Sequence, residues 1–183
     1  HLSTDDVFSH HARQPYNEFE IPTPSTIYGK SKLAGERFVQ NLCTRHVIVR
    51  SSWVYGIGKD FVNTILEAAN NPSVTSMEVA ENEFASPTSA TELAKVIEQL
   101  IDNDCLGIYH AVCGGFCSRF EFAQAILKAI HAKDKLTLKP ISDSETINYS
   151  VLDNMMLRLE NFTQPISWQQ ALKDYIRTTG GNN

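Results

Sequence analysis

Tyr28 and Lys32 stand four residues apart in the run Tyr28-Gly29-Lys30-Ser31-Lys32. On a helix that spacing puts both side chains on one face, one turn apart. An ammonium beside a phenol stabilises the phenolate, which makes the tyrosine a better proton donor or acceptor near neutral pH. The same pair also arises without chemistry, with Tyr28 packing at a helix start while Lys32 snorkels or pairs with Glu36. Spacing alone does not choose between them. The other reactive candidates are Cys43, Cys105, Cys113 and Cys117, and the pair His10-His11. Cys113 and Cys117 lie near His110, but no second pair has zinc-ligand spacing and Gly114-Gly115-Phe116 reads as a turn. Free, partly buried thiols and no metal site are expected. His10-His11 falls in a polar loop and is expected to be solvated.

The elements that must position these groups follow from periodicity. Ser25 or Thr26 can cap the Tyr28 helix, Pro22 and Pro24 keep its approach extended, and Leu33, Ala34, Phe38, Val39 and Leu42 recur at helical spacing. Val47-Ile48-Val49 is a continuous apolar run, as in a strand covered on both faces. A helix is expected over 61–69, stopped by Asn70-Asn71-Pro72, and a short strand at Met77-Glu78-Val79-Ala80, followed by an irregular stretch over 81–88. Thr91 is read as the cap of a helix with Leu93, Ala94, Ile97, Leu100 and Ile101 on one side. Residues 107–112 form another strand, and Ser118 with Glu121 makes a capping box for a helix reaching His131. Residues 132–150 are mixed, with a polar stretch at Ser142-Asp143-Ser144-Glu145. A last helix runs over about 167–176, with a frayed tail at 178–183. Alternating helices and apolar strands predict an α/β fold with a parallel sheet.

The 183 residues suffice for a real core, as one domain or two small ones. Sixteen basic against twenty-one acidic residues, a net charge of -5, argue against a nucleic-acid or anionic-membrane surface. No apolar run approaches the roughly 18 residues of a spanning helix, and a soluble, cytoplasmic protein is expected. His1-Leu2-Ser3-Thr4 reads as the end of a strand whose earlier part is missing. A nucleotide-binding α/β enzyme carries a Gly-rich turn after its first strand. Here Gly56-Ile57-Gly58 has Phe61 where the third glycine belongs, and Gly114-Gly115 has no pattern.

Ser3-Thr4-Asp5 at a strand end, Tyr28-x-x-x-Lys32 within Gly29-Lys30-Ser31-Lys32-Leu33-Ala34-Gly35-Glu36, and Arg50-Ser51-Ser52-Trp53-Val54-Tyr55-Gly56 resemble the extended short-chain dehydrogenase/reductases. More narrowly, with Ser86-Pro87-Thr88, Gly107-Ile108-Tyr109-His110, Ser150-Val151-Leu152-Asp153-Asn154 and Trp168-x-x-Ala171-Leu172 in order, the chain resembles the dTDP-4-dehydrorhamnose reductase family. The resemblance covers the chain but only the later part of the family's length. It implies the later part of a Rossmann-like doubly wound parallel sheet plus a small mixed α/β substrate-binding region. Residues 1–56 would end the dinucleotide-binding domain, and 57–183 would be mainly substrate-binding, with strand 107–112 returning to the main sheet.

The resemblance also implies roles. Tyr28 would protonate the sugar C4 ketone as hydride arrives from NADPH or NADH, Lys32 would hold the nicotinamide ribose, and Thr4 would hydrogen-bond the reacting carbonyl oxygen. Ser52 would sit near the nicotinamide, Asp5 and Trp53 would line the sugar site, and Ser86, Pro87 and Thr88 would face the nucleotide-sugar. The reaction implied is reduction of dTDP-4-dehydro-L-rhamnose to dTDP-L-rhamnose, the chain by itself being inactive for want of its cofactor-binding segment. The small residues Ser31, Ala34 and Gly35 permit close helix packing, and a homodimer is one expectation. The family usually has an aromatic at Asp6, an Asn at Asp60, a glutamine and a glycine in Glu83-Phe84-Ala85, and an Arg-Pro pair where Ile147-Asn148-Tyr149 stands. A positive side chain lost near a diphosphate alters nucleotide-sugar recognition. A reductase-like regulatory subunit, or a related epimerase or dehydratase, are the competing readings.

Overall fold

The computed structural model describes residues 1–142 and 147–180; most of the polar stretch after Ile141 (143–146) and the end of the tail (181–183) lie outside the described residues. In chain order the elements are β1 (Leu2–Thr4), a 3-10 turn (Asp5–Val7), α1 (Ile27–Leu42), β2 (Val47–Ser51), β3 (Val54–Tyr55), α2 (Phe61–Asn70), β4 (Ser76–Ala80) and β5 (Glu83–Ala85). They continue with β6 (Thr88–Ser89), α3 (Ala90–Asp102), β7 (Gly107–His110), β8 (Cys117–Ser118), α4 (Arg119–Ala129), β9 (Thr137–Ile141), β10 (Asn148–Tyr149), α5 (Met155–Leu159) and α6 (Trp168–Gly180). Among the described residues no helix is long and apolar enough to cross a membrane.

The main sheet is parallel in the order β1-β2-β7, with Leu2 opposite Val49 and Val49 opposite Tyr109. Side chains alternate across β2. Val49 packs on Leu93, Val96 and Leu100 of α3, while Arg50 on the other face meets Glu36 of α1. The sheet is covered on both sides, which is why Val47-Ile48-Val49 reads as a continuous apolar run. A second core gathers α2, α4 and α6 around Phe122 and Trp168, with the parallel pair β4-β9 against it. Two further small sheets have the orders β10-β5-β8 and β3-β6.

Several local expectations hold. Thr26 caps α1, its Oγ1 accepting the Gly29 N–H at 2.9 Å, and Ser118 with Glu121 forms the capping box of α4. Others are corrected. Residues 83–85 and 88–89 are strands, because each borrows its ladder from a distant partner: Phe84 from Ser118 and Tyr149, Thr88 from Val54. Helix α3 is capped by Ser89 rather than Thr91, and α6 continues to Gly180. Helix α1 does not bury its whole apolar series: Phe38 and Leu42 are exposed, and its inward face is Gly29, Leu33 and Glu36.

Gly29 sets how closely α1 approaches the 3-10 turn that follows β1. A Cβ there would lie 1.9 Å from the Asp6 carbonyl oxygen. Backbone must move to accept it, so Gly29→Ala is expected to cost about 2 kcal/mol or more. At roughly 2–4 °C per kcal/mol for a chain of this size, thermal unfolding should fall by about 4–8 °C. An unfolding midpoint within a degree of the parent would show that the approach is not tight.

Candidate active site

The end of β1 delivers Thr4 and Asp5 into a buried polar knot. Thr4 Oγ1 donates to Asp5 Oδ1 at 3.0 Å and accepts the Asp6 N–H at 3.3 Å. Asp5 Oδ2 accepts Ser52 Oγ at 2.8 Å and Ser150 Oγ at 2.6 Å. The carboxylate thus joins β1, the end of β2 and the segment after β10. Burial raises the Asp5 carboxyl above the usual carboxylate range; the Ser150 and Ser52 hydrogen bonds and His10 pull it down, and Asp6 pushes it up. Asp5 and Ser52, expected to line the sugar and nicotinamide sites, are both closed off by these contacts. Thr4 is also buried, at 8% exposure, yet it is the member of the knot nearest the strand end.

Helix α1 brings Lys32 to the same strand. Lys32 Nζ donates to the Leu2 carbonyl at 2.6 Å, two residues before Thr4, leaving two of its three N–H groups for other acceptors. Tyr28 is half-exposed, and Gly29 beside it abuts the Asp6 backbone. Lys32 does not pair with Glu36. Glu36 instead takes a bidentate pair from Arg50, Nε to Oε1 at 2.9 Å and Nη2 to Oε2 at 2.7 Å, with both side chains 1% exposed. Fork-on-fork geometry fixes direction as well as distance, so this pair sets the rotation of the helix that presents Tyr28. Sequence spacing gives no hint of a partner fourteen residues away on a strand.

Trp53 follows β2 with φ +42°, a left-handed conformation rare outside glycine, and its carbonyl accepts the Thr88 N–H at 3.3 Å. Its ring lies under the Arg119 guanidinium, 3.5 Å from the ring centroid, and Phe61 lies 4.8 Å from the same cation. Burial lowers the Arg119 guanidinium, against the charges of Glu83 and Asp5. Ser86, Pro87 and Thr88 are buried. Ser86 Oγ donates to the Gly115 carbonyl at 2.8 Å, and Thr88 Oγ1 donates to the Ser86 carbonyl and accepts the Cys113 N–H. Ser86 also borders a cavity of about 380 Å3 with Gly114, Gly115, Asp153 and Asn154. Ser150, quoted from the sequence only as the head of the Ser150-Val151-Leu152-Asp153-Asn154 run, and Arg119, not singled out there, join this region.

His10 is not solvated. Its Nε2 lies 3.1 Å from Asp6 Oδ1 with the ring 12% exposed, and although burial lowers it, the Asp6 and Asp5 interactions raise it on balance. His110 packs in the core and is lowered to about 3, first by burial and then by Arg50. Cys113 and Cys117 are free and buried, their thiols pushed up by burial to about 11 and about 12. Among the described residues no cluster of three or more such side chains could hold a metal ion.

A doubly covered parallel sheet with a Tyr-x-x-x-Lys helix tied to the strand bearing Thr4 defines the later part of a Rossmann-type α/β fold. The chain belongs to the RmlD substrate binding domain family, whose model matches residues 1–180. The spore coat polysaccharide biosynthesis protein SpsK of Bacillus subtilis (strain 168) is 35% identical over 184 residues, covering 97% of this chain and 63% of that protein. The dTDP-4-dehydrorhamnose reductase of Escherichia coli (strain K12) is 32% identical over 189 residues, covering 94% of this chain and 62% of its own length. A crystal structure of dTDP-4-dehydrorhamnose reductase from Bacillus anthracis str. Ames, in complex with NADP, superposes with a TM-score of 0.91 at 36% identity. It covers 97% of this chain and 64% of that one. The chain therefore spans just under two thirds of the length of these relatives.

Proposed function

We propose that this chain supplies the proton-donating and substrate-facing part of an NAD(P)H-dependent nucleotide-sugar reductase. The reaction is reduction of the C4 ketone of dTDP-4-dehydro-L-rhamnose to dTDP-L-rhamnose, a precursor for cell-surface polysaccharide. In this reading residues 1–56 belong with the dinucleotide-binding half and 57–183 mainly with the substrate, while β7 completes the main sheet. The observation that carries it is the tie from Lys32 to the Leu2 carbonyl, which holds the Tyr28 helix against the strand ending in Thr4.

The donor set fits the nicotinamide end of the cofactor. Lys32 keeps two free N–H groups for a ribose hydroxyl, and the Tyr28 phenol is open to solvent. A nicotinamide cofactor held there would supply the hydride for the sugar C4. Tyr28 gives its hydroxyl proton to the oxygen as the alkoxide develops there, and Lys32 stabilises the phenolate left behind. Thr4 orients the same oxygen. Trp53 and the Ser86–Thr88 segment shape the sugar side, with Ser86 and Thr88 holding the backbone in place. The sequence of residues 1–183 carries no Gly-rich phosphate turn. A dehydratase is less well supported, because Asp5 is buried under three hydroxyls and Asp6 is paired with His10.

The test is NADPH or NADH oxidation by the protein that carries this chain, with dTDP-4-dehydro-L-rhamnose as substrate and the product identified by NMR. Stoichiometric dTDP-L-rhamnose is expected, and NADPH titrated into residues 1–183 alone should bind more weakly than micromolar. Failure to consume either cofactor with this sugar would overturn the reductase reading.

A further inference from the structure

The hydroxyl of Thr4 has one proton and two lone pairs. In this structure the proton points to Asp5 Oδ1 and one lone pair takes the Asp6 N–H. A ketone or alkoxide oxygen brings only lone pairs, so a Thr4 hydroxyl turned inward has nothing to offer it. The carboxyl of Asp5 has the complementary freedom. Its Oδ2 is filled by Ser52 and Ser150, both of which donate, while Oδ1 faces Thr4 alone among the described hydrogen bonds.

We propose that Asp5 is a positioning residue that sets which way the Thr4 proton points. With a proton on Oδ1, Asp5 donates to Thr4 Oγ1; the Asp6 N–H fills the second lone pair, and the Thr4 proton turns out to the substrate oxygen. With Asp5 ionised, the Thr4 proton turns inward and the substrate oxygen loses its donor. The proton on Asp5 exchanges with solvent, and no bond to carbon is made or broken by the switch. The inference rests on the reading of Thr4 as the group that meets the reacting carbonyl.

The surroundings of Asp5 set its balance. On its own segment Asp6 opposes ionisation and His10 favours it; the Arg119 guanidinium, at the start of α4, also feels the Asp5 charge. Ser52 and Ser150 favour the ionised form by hydrogen bonding, and burial outweighs them, raising Asp5 on balance. The sign follows. Raising the pH ionises Asp5, so the Asp5-dependent part of kcat falls as pH rises through its pKa, with little change in KM, because the alkoxide forms only in the transition state.

The experiment is a pH profile of kcat and KM for the reductase and its Asp5→Asn and Ser150→Ala variants. An asparagine can donate its Nδ2–H to Thr4 and accept both serines on Oδ1, so Asp5→Asn is expected to lose the Asp5-dependent alkaline fall in kcat. Ser150→Ala removes a donor to the ionised form and should move that fall up by about one pH unit. Unchanged alkaline limbs in both variants would overturn the proposal, since a merely structural Asp5 predicts that result. Infrared difference spectra of the unaltered protein and Asp5→Asn add a readout without turnover. A protonated-acid carbonyl band that belongs to Asp5 and titrates away with rising pH supports the switch, and an Asp5 ionised at every pH overturns it. If the unaltered protein reduces no nucleotide-sugar, the reductase reading fails and the infrared titration still decides the state of Asp5.

Discussion

Replacing Tyr28 by phenylalanine should lower kcat by about 10²–10⁴, the usual worth of a placed general acid, with KM changed little. The two side chains differ by one hydroxyl, and that hydroxyl makes no hydrogen bond among the described residues and lies on a half-exposed ring. Stability should therefore stay within about 0.5 kcal/mol of the parent, as for ordinary surface changes. The combination is diagnostic: a large loss of turnover, an unchanged unfolding midpoint and a nearly unchanged KM. On the proposed reading the hydroxyl acts only where charge develops on the sugar oxygen, so removing it should leave ground-state binding alone. Near-normal turnover by Tyr28→Phe would remove the tyrosine from the mechanism, whatever its position on the helix.

Glu36→Gln should be strongly destabilising. It leaves the Arg50 guanidinium buried beside Phe8 and next to His110 on the neighbouring strand, without a counter-charge. Breaking a buried pair in this way typically costs about 3–5 kcal/mol. In a chain of this size that is a fall on the order of 6–20 °C in the unfolding midpoint. Both side chains are 1% exposed, so added salt should rescue little of it. Replacing both partners with apolar residues, as in Glu36→Leu with Arg50→Met, removes the stranded charge and should recover much of the loss. If the double variant is no more stable than the single one, the stranded charge is not the cause. Activity should suffer in the double variant even where stability returns, because the apolar pair no longer fixes the rotation of α1.

Much of this was legible in the residues. The Thr26 cap, the apolar run of β2, the α4 capping box and the Tyr-x-x-x-Lys face are local signals, and local signals survive without knowledge of the fold. What could not be read depends on partners far away in sequence. Glu36 has a lysine at the right helical spacing, yet a buried arginine fork outcompetes it, since Lys32 finds the Leu2 carbonyl. The strands at 83–85 and 88–89 are too short to declare themselves and exist because neighbours lend them ladders. His10, polar and loop-borne, is drawn in by Asp6. Asp5 is the clearest case: nothing in Ser3-Thr4-Asp5 says that its carboxylate will be covered by serines 47 and 145 positions away.

That last separation bears on how the chain is made. During synthesis at about 5–20 residues per second, Ser150 emerges on the order of ten seconds after Asp5. Until then the carboxylate has no complete set of donors, and burying it is costly. The strand end that carries Thr4 therefore cannot close early around a half-finished chain. Its maturation waits for the segment after β10, so the Thr4–Asp5 corner is among the last parts of the molecule to set. A chain cut short before residue 150 would keep the Tyr28 helix and much of the main sheet, yet expose an ionised, poorly covered Asp5 that cellular proteolysis could recognise as unfinished.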